Sequence, residues 1–218
     1  FCINFIRIDF RLFIPVLDKQ YITVFNAFIF NHNLLVLQMR VTKVVTKTGD
    51  NGETGLGNGD RVSKDSLRVH AMGAIDELNS FLGWARTISK DLSYEQLGKI
   101  QQDLFNIGGE LSIPDVEMNL LENSRITWLE QLTNEYNNTL PPMKEFILPG
   151  GTELSSRLHI VRAECRSAER KIVSLSKEEY VPEEHLKYLN RLSDYLFTLA
   201  RIDMKKSGTS ELSWDYKK

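Results

Sequence analysis

The sequence predicts an all-α protein, folded as a five-helix bundle. Apolar residues recur every three or four positions in five separate segments between residues 65 and 208. Proline and glycine residues interrupt the chain between these segments, so the connections are short. The sequence shows no convincing hairpin signal. Five amphipathic helices joined in this way bury their apolar stripes against one another.

The first two helices follow a short β-branched run at residues 41–45 and a glycine-rich loop. The first is predicted from residue 65, and the second is predicted to begin at an N-cap, Ser93, and to end before Pro114. The apolar positions of the first are Met72, Ile75, Leu78, Leu82, Ala85 and Ile88. Those of the second are Leu97, Ile100, Leu104, Ile107 and Leu111.

The last three helices are predicted at residues 124–137, from Thr152 to about residue 176, and from Pro182 to Gly208. Thr152 is the N-cap candidate of the fourth helix. The third helix carries Trp128, Leu129 and Leu132. The fourth carries Leu154, Leu158, Val161, Cys165, Ala168, Ile172 and Leu175. The fifth carries Leu186, Leu189, Leu196, Leu199 and Ile202.

A polar stripe runs beside the apolar stripe of the fourth helix. Its members are Ser155, His159, Arg162, Arg166 and Glu169, again four and three residues apart. Because this stripe lies one residue away from the apolar one, its arginines are expected at the edge of the buried surface. Arginines in such positions usually meet a carboxylate or a phosphate.

Composition limits the class of protein. The 218 residues are 42% hydrophobic and 26% charged, which suits one globular domain. The net charge of −2 does not indicate nucleic-acid binding. Only two cysteines occur, Cys2 and Cys165, which favours a reducing, cytoplasmic location over a disulfide framework. No uninterrupted apolar stretch of about 20 residues predicts a membrane span.

Residues 1–38 differ from the rest of the chain. They contain no glycine, they are dense in large apolar residues, and the first methionine is Met39. We interpret residues 1–38 as an N-terminal extension outside the fold, and residues 39–218 as a single helical-bundle domain. The alternative is a genuine N-terminal arm, and the intact mass of the native protein distinguishes the two.

The glycine-rich loop is the first candidate binding element. Five of the thirteen glycines lie between Gly49 and Gly59. Backbone N–H groups of such a loop can turn towards a phosphate, with Lys47 beside them. The pattern is not that of a Walker A loop, and a flexible surface loop is the alternative. Lys64 and Arg68 follow closely and add positive charge.

Other polar groups are less specific. Asp76 follows the apolar Ile75 in the first helix. Asn190, Asp194 and Arg201 share one face of the last helix. For both sets, the alternative to a binding role is a structural ion pair. The histidines lack the Glu-x-x-His pairs of di-iron bundles and the spacing of zinc sites. The residues therefore indicate a bundle that binds a polyphosphate and shows no evident general base or nucleophile of its own.

Five segments, taken in order, resemble the PduO-type ATP:cob(I)alamin adenosyltransferases. They are TKTGDNGET at 46–54, DELNS at 76–80, FILPGGT at 146–152, RAECRSAER at 162–170 and NRLSD at 190–194. The resemblance covers residues 39 to about 204. It implies a homotrimer of five-helix bundles with active sites between subunits. It also implies transfer of the 5′-deoxyadenosyl group from ATP to the cobalt of reduced cobalamin, with release of triphosphate.

The resemblance also implies roles for individual residues. Arg166, Glu169, Arg170 and Asn190 would bind ATP from the bundle, with Glu169 as the candidate ligand of Mg²⁺. Asp76 and Arg162 would pair across the subunit interface, and Phe146 would press on the lower face of the corrin and displace the axial ligand. The loop residues that would wrap ATP and meet its phosphates are Thr46, Lys47, Gly49, Asp50, Gly52, Thr54 and Lys64.

One residue departs from the family pattern. Many members have a second arginine where this chain has Ser167, which removes a cation that Arg170 is placed to replace. The partners implied are ATP, reduced cobalamin, a flavin-dependent cobalamin reductase and acceptor enzymes that use adenosylcobalamin. A non-catalytic trimer that binds nucleotide or cobalamin as a sensor or carrier is the alternative. A purely structural bundle would leave the loop at 46–57 unexplained.

Overall fold

The computed structural model describes residues 45–216. The prediction of an all-α five-helix bundle is confirmed. Residues 1–38, which we interpret as an extension outside the fold, and most of the run at 41–45 lie outside the described residues. The five helices of the bundle are α1 (Leu67–Arg86), α2 (Asp91–Ser112), α3 (Asn123–Thr139), α4 (Glu153–Leu175) and α5 (Glu183–Ser207). No helix in this part of the chain is long and apolar enough to cross a membrane.

The core is formed by the apolar stripes that the periodicity predicts. Helix α4 packs against α1 and α5, while α2 packs on α1 and α3 on α5. Most of the predicted apolar positions are buried, among them Leu78, Leu104 and Ile172. Cys165 is also a core residue, because its thiol contacts the Leu189 carbonyl at 3.2 Å and burial raises its pKa.

The helix ends predicted at Thr152 and Gly208 are confirmed, and the one predicted at Ser93 is wrong. The Thr152 hydroxyl accepts a hydrogen bond from the Ser155 N–H at 3.0 Å, and α5 ends at Gly208 with φ 70°. Ser93 does not cap α2, which begins at Asp91. The Ser93 hydroxyl already lies inside the first turn and donates to the Lys90 carbonyl at 2.6 Å.

A short hairpin contradicts the expectation that no hairpin is present. Strands β1 (Glu53–Gly55) and β2 (Arg61–Ser63) pair antiparallel, with Thr54 opposite Val62. Strands of three residues are too short to show an alternating pattern in the sequence. The hairpin is anchored to the end of α2, where the Gly57 N–H donates to the Ser112 carbonyl at 2.7 Å.

The segment that follows α5 returns to pair with the segment before α4. The Leu148 N–H donates to the Leu212 carbonyl, and the Trp214 N–H donates to the Phe146 carbonyl, both at 2.7 Å. Ile147 and Ser213 form an antiparallel bridge between them. The residues after the last helix are therefore tied to the loop that carries Phe146.

The hairpin precedes α1, and the segment that carries Phe146 precedes α4. Because α1 and α4 pack antiparallel, these two segments lie at opposite ends of the bundle. Arg68 at the start of α1 pairs with Glu179, just beyond α4, at 2.6 Å. Arg157, near the start of α4, donates to the Trp84 carbonyl near the end of α1 at 2.6 Å. We call residues 46–64 the hairpin end, and residues 146–151 with 210–216 the aromatic end. The length of α4, about 35 Å at 1.5 Å per residue, separates them.

Candidate functional site

Two cations hold the glycine loop in a closed shape. The Lys64 ammonium donates to the Gly49 carbonyl at 2.7 Å, and the Lys64 N–H donates to the Gly52 carbonyl at 2.8 Å. Arg61 donates to the Thr48 carbonyl at 2.8 Å. Arg61 has no recognisable signal in the sequence, because its role depends on a hairpin that the sequence does not reveal. The loop is a built structure rather than a flexible surface segment.

The loop also contains residues with positive φ angles, the backbone conformation that glycine favours. Gly52 has φ 81°, and Lys47 reaches φ 59° although it is not a glycine. Lys47 and Asp50 are exposed, whereas Thr54 is buried beneath the loop, and the Thr46 and Thr48 hydroxyls lie 3.0 Å apart. Lys47 and Asp50 are thus available to a ligand, and Thr54 supports the loop from below.

Arg68 does not add charge to the loop, contrary to the sequence-based interpretation. Its side chain is buried, its Nε donates to Glu179 at 2.7 Å, and a terminal nitrogen donates to the Leu111 carbonyl at 2.8 Å. Glu179 is far along the chain, so no local pattern could show that Arg68 is already neutralised. Arg68 therefore joins α1, α2 and the segment after α4.

The polar stripe of α4 changes in character along the helix. Ser155 and His159 are 1% and 5% exposed, whereas Arg166 is exposed to solvent. Arg162 and Glu169 are half-buried. The start of the stripe is thus a buried neutral surface, and its second half presents charge at the edge of the bundle.

Glu169 and Asn190 are brought together, as the resemblance implies for residues that share a ligand. The Asn190 amide donates to Glu169 Oε1 at 3.2 Å. Among residues 45–216, no hydrogen bond engages Glu169 Oε2. The guanidinium groups of Arg166 and Arg170 form no hydrogen bond or ion pair with these residues. Ser167 is half-buried between them. The neighbourhood offers two free cations beside a carboxylate.

Arg162 and Asp76 do not meet within the chain. The Nε of Arg162 is buried without a hydrogen-bond partner among the described residues, and burial and the charge of Arg166 lower the pKa of Arg162. Asp76 is half-buried and has no ion pair in this part of the chain. Two half-buried opposite charges are therefore left without partners in the single chain.

The polar face predicted for the last helix does not act as one group. Asn190 turns to Glu169, and Asp194 is exposed. Arg201 is buried, where it donates to Glu211 at 2.8 Å and to the Pro141 carbonyl at 3.0 Å. Arg201 therefore fixes the start of the returning segment, and only Asn190 stays in the candidate site.

The aromatic end exposes a row of rings. Phe146 is 75% exposed, and its ring centroid lies 6.4 Å from that of Trp214. Trp214 in turn lies 5.8 Å from Tyr216. Phe146 is among the residues expected from the sequence and Trp214 is not, because the pairing between residues 146–148 and 212–214 is long-range and leaves no local signal.

A pocket of about 290 Å³ lies behind this row of rings. Its wall is formed by residues 147–151 and 210–212, and its floor by Ser155, His159, Arg201 and Met204. The His159 ring packs edge-on against Phe197 at 6.0 Å. Burial and the nearby charge of Arg162 lower the pKa of His159, so the imidazole is neutral at pH 7.

The candidate residues thus form three groups rather than one. Between residues 45 and 216, no hydrogen bond or ion pair joins the glycine loop to Arg166, Glu169, Asn190 or Phe146. The same residues contain no cluster of three side chains suited to hold a metal ion.

Residues 44–203 match the family described as cobalamin adenosyltransferase. The chain is 46% identical over 178 residues to a cobalamin adenosyltransferase of Cupriavidus metallidurans, covering 80% of this chain and 95% of the relative. It is 44% identical over 179 residues to a corrinoid adenosyltransferase of Bacillus subtilis, covering 79% and 92%.

A solved structure is similar over the same region. It is a PduO-type ATP:corrinoid adenosyltransferase from Lactobacillus reuteri, in a variant with one phenylalanine replaced by alanine, complexed with cobalamin and ATP. The TM-score is 0.75 at 37% sequence identity, covering 79% of this chain and 99% of that one.

Proposed function

This chain belongs to the cobalamin adenosyltransferase family, and we propose that it transfers the 5′-deoxyadenosyl group of ATP to the cobalt of cob(I)alamin. The cobalt(I) electron pair forms the new Co–C5′ bond as the C5′–O bond breaks. The triphosphate leaves with the electron pair of that bond, and cobalt becomes formally cobalt(III). Cobalt(I) is itself a strong nucleophile, so no side chain has to act as a general base.

The observation that carries this proposal is the charged half of the α4 stripe. Arg166 and Arg170 are exposed cations without partners in the described chain, beside the Glu169–Asn190 pair. Cations held in place before the reaction can stabilise the charge that develops on a departing triphosphate. The glycine loop, closed by Lys64, supplies the N–H groups and the cation that a second part of the triphosphate needs.

Mg²⁺ fits this site through Glu169. One of its oxygens accepts from Asn190, which orients the carboxylate and leaves the other oxygen for a cation. Mg²⁺ is commonly held by one carboxylate together with substrate phosphates, so a site without three clustered ligands suffices. Bound there, Mg²⁺ would offset the charge of the triphosphate that Arg166 also faces.

The separation of the two ends supports a homotrimer with its active sites between subunits. A site that uses both the glycine loop and Phe146 draws them from opposite ends of the bundle, and therefore from two chains. The half-buried charges of Asp76 and Arg162 support the same arrangement. Leaving one buried charge unpaired is costly, and pairing Asp76 of one chain with Arg162 of another removes that cost.

Phe146 is the residue that we assign to the corrin. Its exposed ring can lie flat against the lower face of the macrocycle and take the place of the axial ligand. Without that donor the half-filled axial orbital of cobalt(II) drops in energy, so the electron that converts cobalt(II) to cobalt(I) is accepted more easily. Phe146 acts in this way by excluding a ligand and water from the metal.

The same proposal includes a cytoplasmic location, a flavin-dependent cobalamin reductase that delivers cobalt(I), and acceptor enzymes that use the product. The scarcity of cysteines and the buried Cys165 thiol support a reducing compartment. The reductase follows from the chemistry, because cobalt(I) has to be generated close to the enzyme that consumes it.

The direct test is to incubate the protein with ATP, Mg²⁺ and chemically reduced cobalamin and to follow the visible spectrum of the Co–C bond. We expect that spectrum to appear together with one triphosphate per adenosyl group transferred. Omission of ATP is the control. Binding of both ligands without Co–C bond formation would contradict the enzyme and favour the sensor or carrier.

A further inference from the structure

The pocket behind the row of rings contains two buried polar side chains that nothing in the described chain satisfies. Ser155 Oγ and His159 Nδ1 are inaccessible to solvent and have no hydrogen-bond partner among residues 45–216. Both side chains are more than nine-tenths buried, and both line the pocket. Buried polar groups of folded proteins are nearly always hydrogen-bonded, so two unpaired ones in one pocket indicate that something polar enters it.

The lining determines the charge of what can enter. Arg201 is the only cation that lines the pocket, and Glu211 already pairs with it. His159 is neutral, and the remaining wall is mostly apolar, with Leu148, Met204 and Leu212. A phosphate or carboxylate would find no free cation here, and an ammonium group would find no free carboxylate. The pocket suits a neutral group that accepts or donates a hydrogen bond.

The position of the pocket relates it to the corrinoid rather than to ATP. Its wall begins at Ile147, directly after Phe146, and continues in the segment that carries Trp214. The row of rings and the pocket therefore belong to the same two chain segments. A group that hangs from the lower side of a corrin resting on Phe146 is close enough to enter. The glycine loop and its phosphate-binding groups lie at the other end of the bundle.

We propose that this pocket is a subsite for a neutral hydrogen-bonding group on the lower side of the corrinoid, held by Ser155 and His159. The proposal rests on the proposed function, which brings a corrinoid to Phe146. Cobalamin carries two groups of this chemistry, the carboxamides of the ring and the benzimidazole base that Phe146 would displace. A volume of about 290 Å³ accommodates either of them, but not the macrocycle.

The test is a spectroscopic titration of the protein, saturated with MgATP, with cob(II)alamin and separately with cob(II)inamide, which keeps the carboxamides but lacks the base. We expect Ser155→Ala to raise the Kd for cob(II)alamin about fivefold and His159→Leu about tenfold, as one lost hydrogen bond predicts. If the Kd for cob(II)inamide rises equally, a carboxamide occupies the pocket. If it does not change, the occupant is the base.

Stability separates this role from a structural one. Because the Ser155 hydroxyl is unpaired in the free protein, Ser155→Ala should leave the Tm unchanged or raise it while it weakens corrinoid binding. Ser174→Ala, the same change at an exposed position of α4, is the matched control and should alter neither quantity. An unchanged Kd for both corrinoids in both pocket variants would overturn the proposal, and so would a lower Tm for Ser155→Ala.

The result of the corrinoid titration does not depend on the result of the Co–C bond assay that tests the proposed function. The titration measures binding of cobalt(II) corrinoids and requires no Co–C bond formation. A wild-type protein that binds cob(II)alamin yet never forms adenosylcobalamin refutes the proposed function and leaves the subsite testable. A wild-type enzyme that is active while both pocket variants bind normally refutes the subsite alone.

Discussion

The hairpin end and the aromatic end of this bundle are built by different interactions. At the hairpin end, Lys64, Arg61 and Gly57 hold the loop through hydrogen bonds to backbone carbonyls, and Arg68 is neutralised by Glu179. At the aromatic end, a row of exposed rings stands on a single backbone bridge. The first arrangement suits a charged phosphate chain, and the second suits a flat apolar macrocycle.

The comparison shows how one chain can offer one surface to a charged phosphate chain and another to an apolar macrocycle. The α4 stripe runs between the two ends, from buried neutral groups at Ser155 and His159 to the exposed charge of Arg166, with Arg170 beside it. The two ends are about 35 Å apart along α4, so in the proposed trimer each chain would carry one part of each of two sites.

The largest effect is expected at the aromatic end, from Phe146→Ala. Removal of the ring lets the axial ligand return to cobalt, so we expect loss of the four-coordinate cobalt(II) spectrum with ATP bound. We also expect a fall in kcat of about a hundredfold, about 2.7 kcal/mol. Phe105→Ala removes an exposed ring from α2 and is the control. A persistent four-coordinate spectrum in Phe146→Ala would refute the displacement role.

A mixed trimer tests whether the two ends come from different chains. Phe146→Ala and a Lys47→Ala, Lys64→Ala double variant are co-expressed with different N-terminal tags, and trimers that carry both tags are isolated. In a cyclic head-to-tail trimer, one of the three sites then combines an intact loop with an intact Phe146. We expect about a third of wild-type activity, a gain of some twentyfold or more over either parent.

The matched control for this experiment is Phe146→Ala carried on both tags, which contains no intact site. Recovery should be absent there. If the mixed trimers are no more active than their parents, loop and ring belong to one chain, and the division between the two ends is wrong.

A smaller effect is expected from Arg166→Ala, between the two ends. Loss of a cation that faces the departing triphosphate should lower kcat/KM for ATP tenfold or more, about 1.4 kcal/mol. Steady-state kinetics with ATP varied at saturating cob(I)alamin measure this value. Lys177→Ala, an exposed cation beyond α4, is the control. Unchanged kinetics in Arg166→Ala would remove this arginine from the phosphate site.

The smallest effect is expected at the anchor of the hairpin. A Cβ on Gly57 would lie 2.6 Å from Cγ1 of Ile113, so Gly57→Ala has to shift the loop, and we expect KM for ATP to rise about threefold. Gly55→Ala in the same hairpin meets its nearest atom, the Asp60 carbonyl oxygen, only at 4.0 Å and should change nothing. Equal KM values for the two variants would show that the anchor does not position the loop.

The helices were predictable because their signals are local. The apolar period of α4, its Thr152 cap and the terminal Gly208 of α5 all act within one or two turns, and each is where the sequence places it. Ser93 shows the limit of such a signal. A serine near a helix start can cap an N–H or donate to a carbonyl, and the sequence does not distinguish the two.

The site was predictable only where its chemistry lies on one helix. The spacing of the polar stripe places Arg162 half-buried at the edge of the core, as predicted, whereas Ser155 and His159 are buried and Arg166 is exposed. The partner of Arg68 and the position of Trp214 depend on contacts far along the chain. Asp76 and Arg162 show a further limit. Neither residue finds its opposite charge in the described chain, so even the folded chain leaves their pairing a prediction.

The bridge between Ile147 and Ser213 has a practical consequence for anyone who handles this protein. Residues after Gly208 look like a disposable tail, yet they hold the strand that carries Phe146 through two backbone hydrogen bonds. A truncation at Gly208, or a protease nick between residues 208 and 211, would release the segment that carries Phe146 and would leave the five described helices intact. Such a preparation would keep its helical circular dichroism while it binds the corrinoid more weakly, and the truncation would also lower the Tm because the buried Arg201 loses Glu211. A helical spectrum is therefore no guarantee of a competent sample, and intact mass at the C-terminus should be checked first.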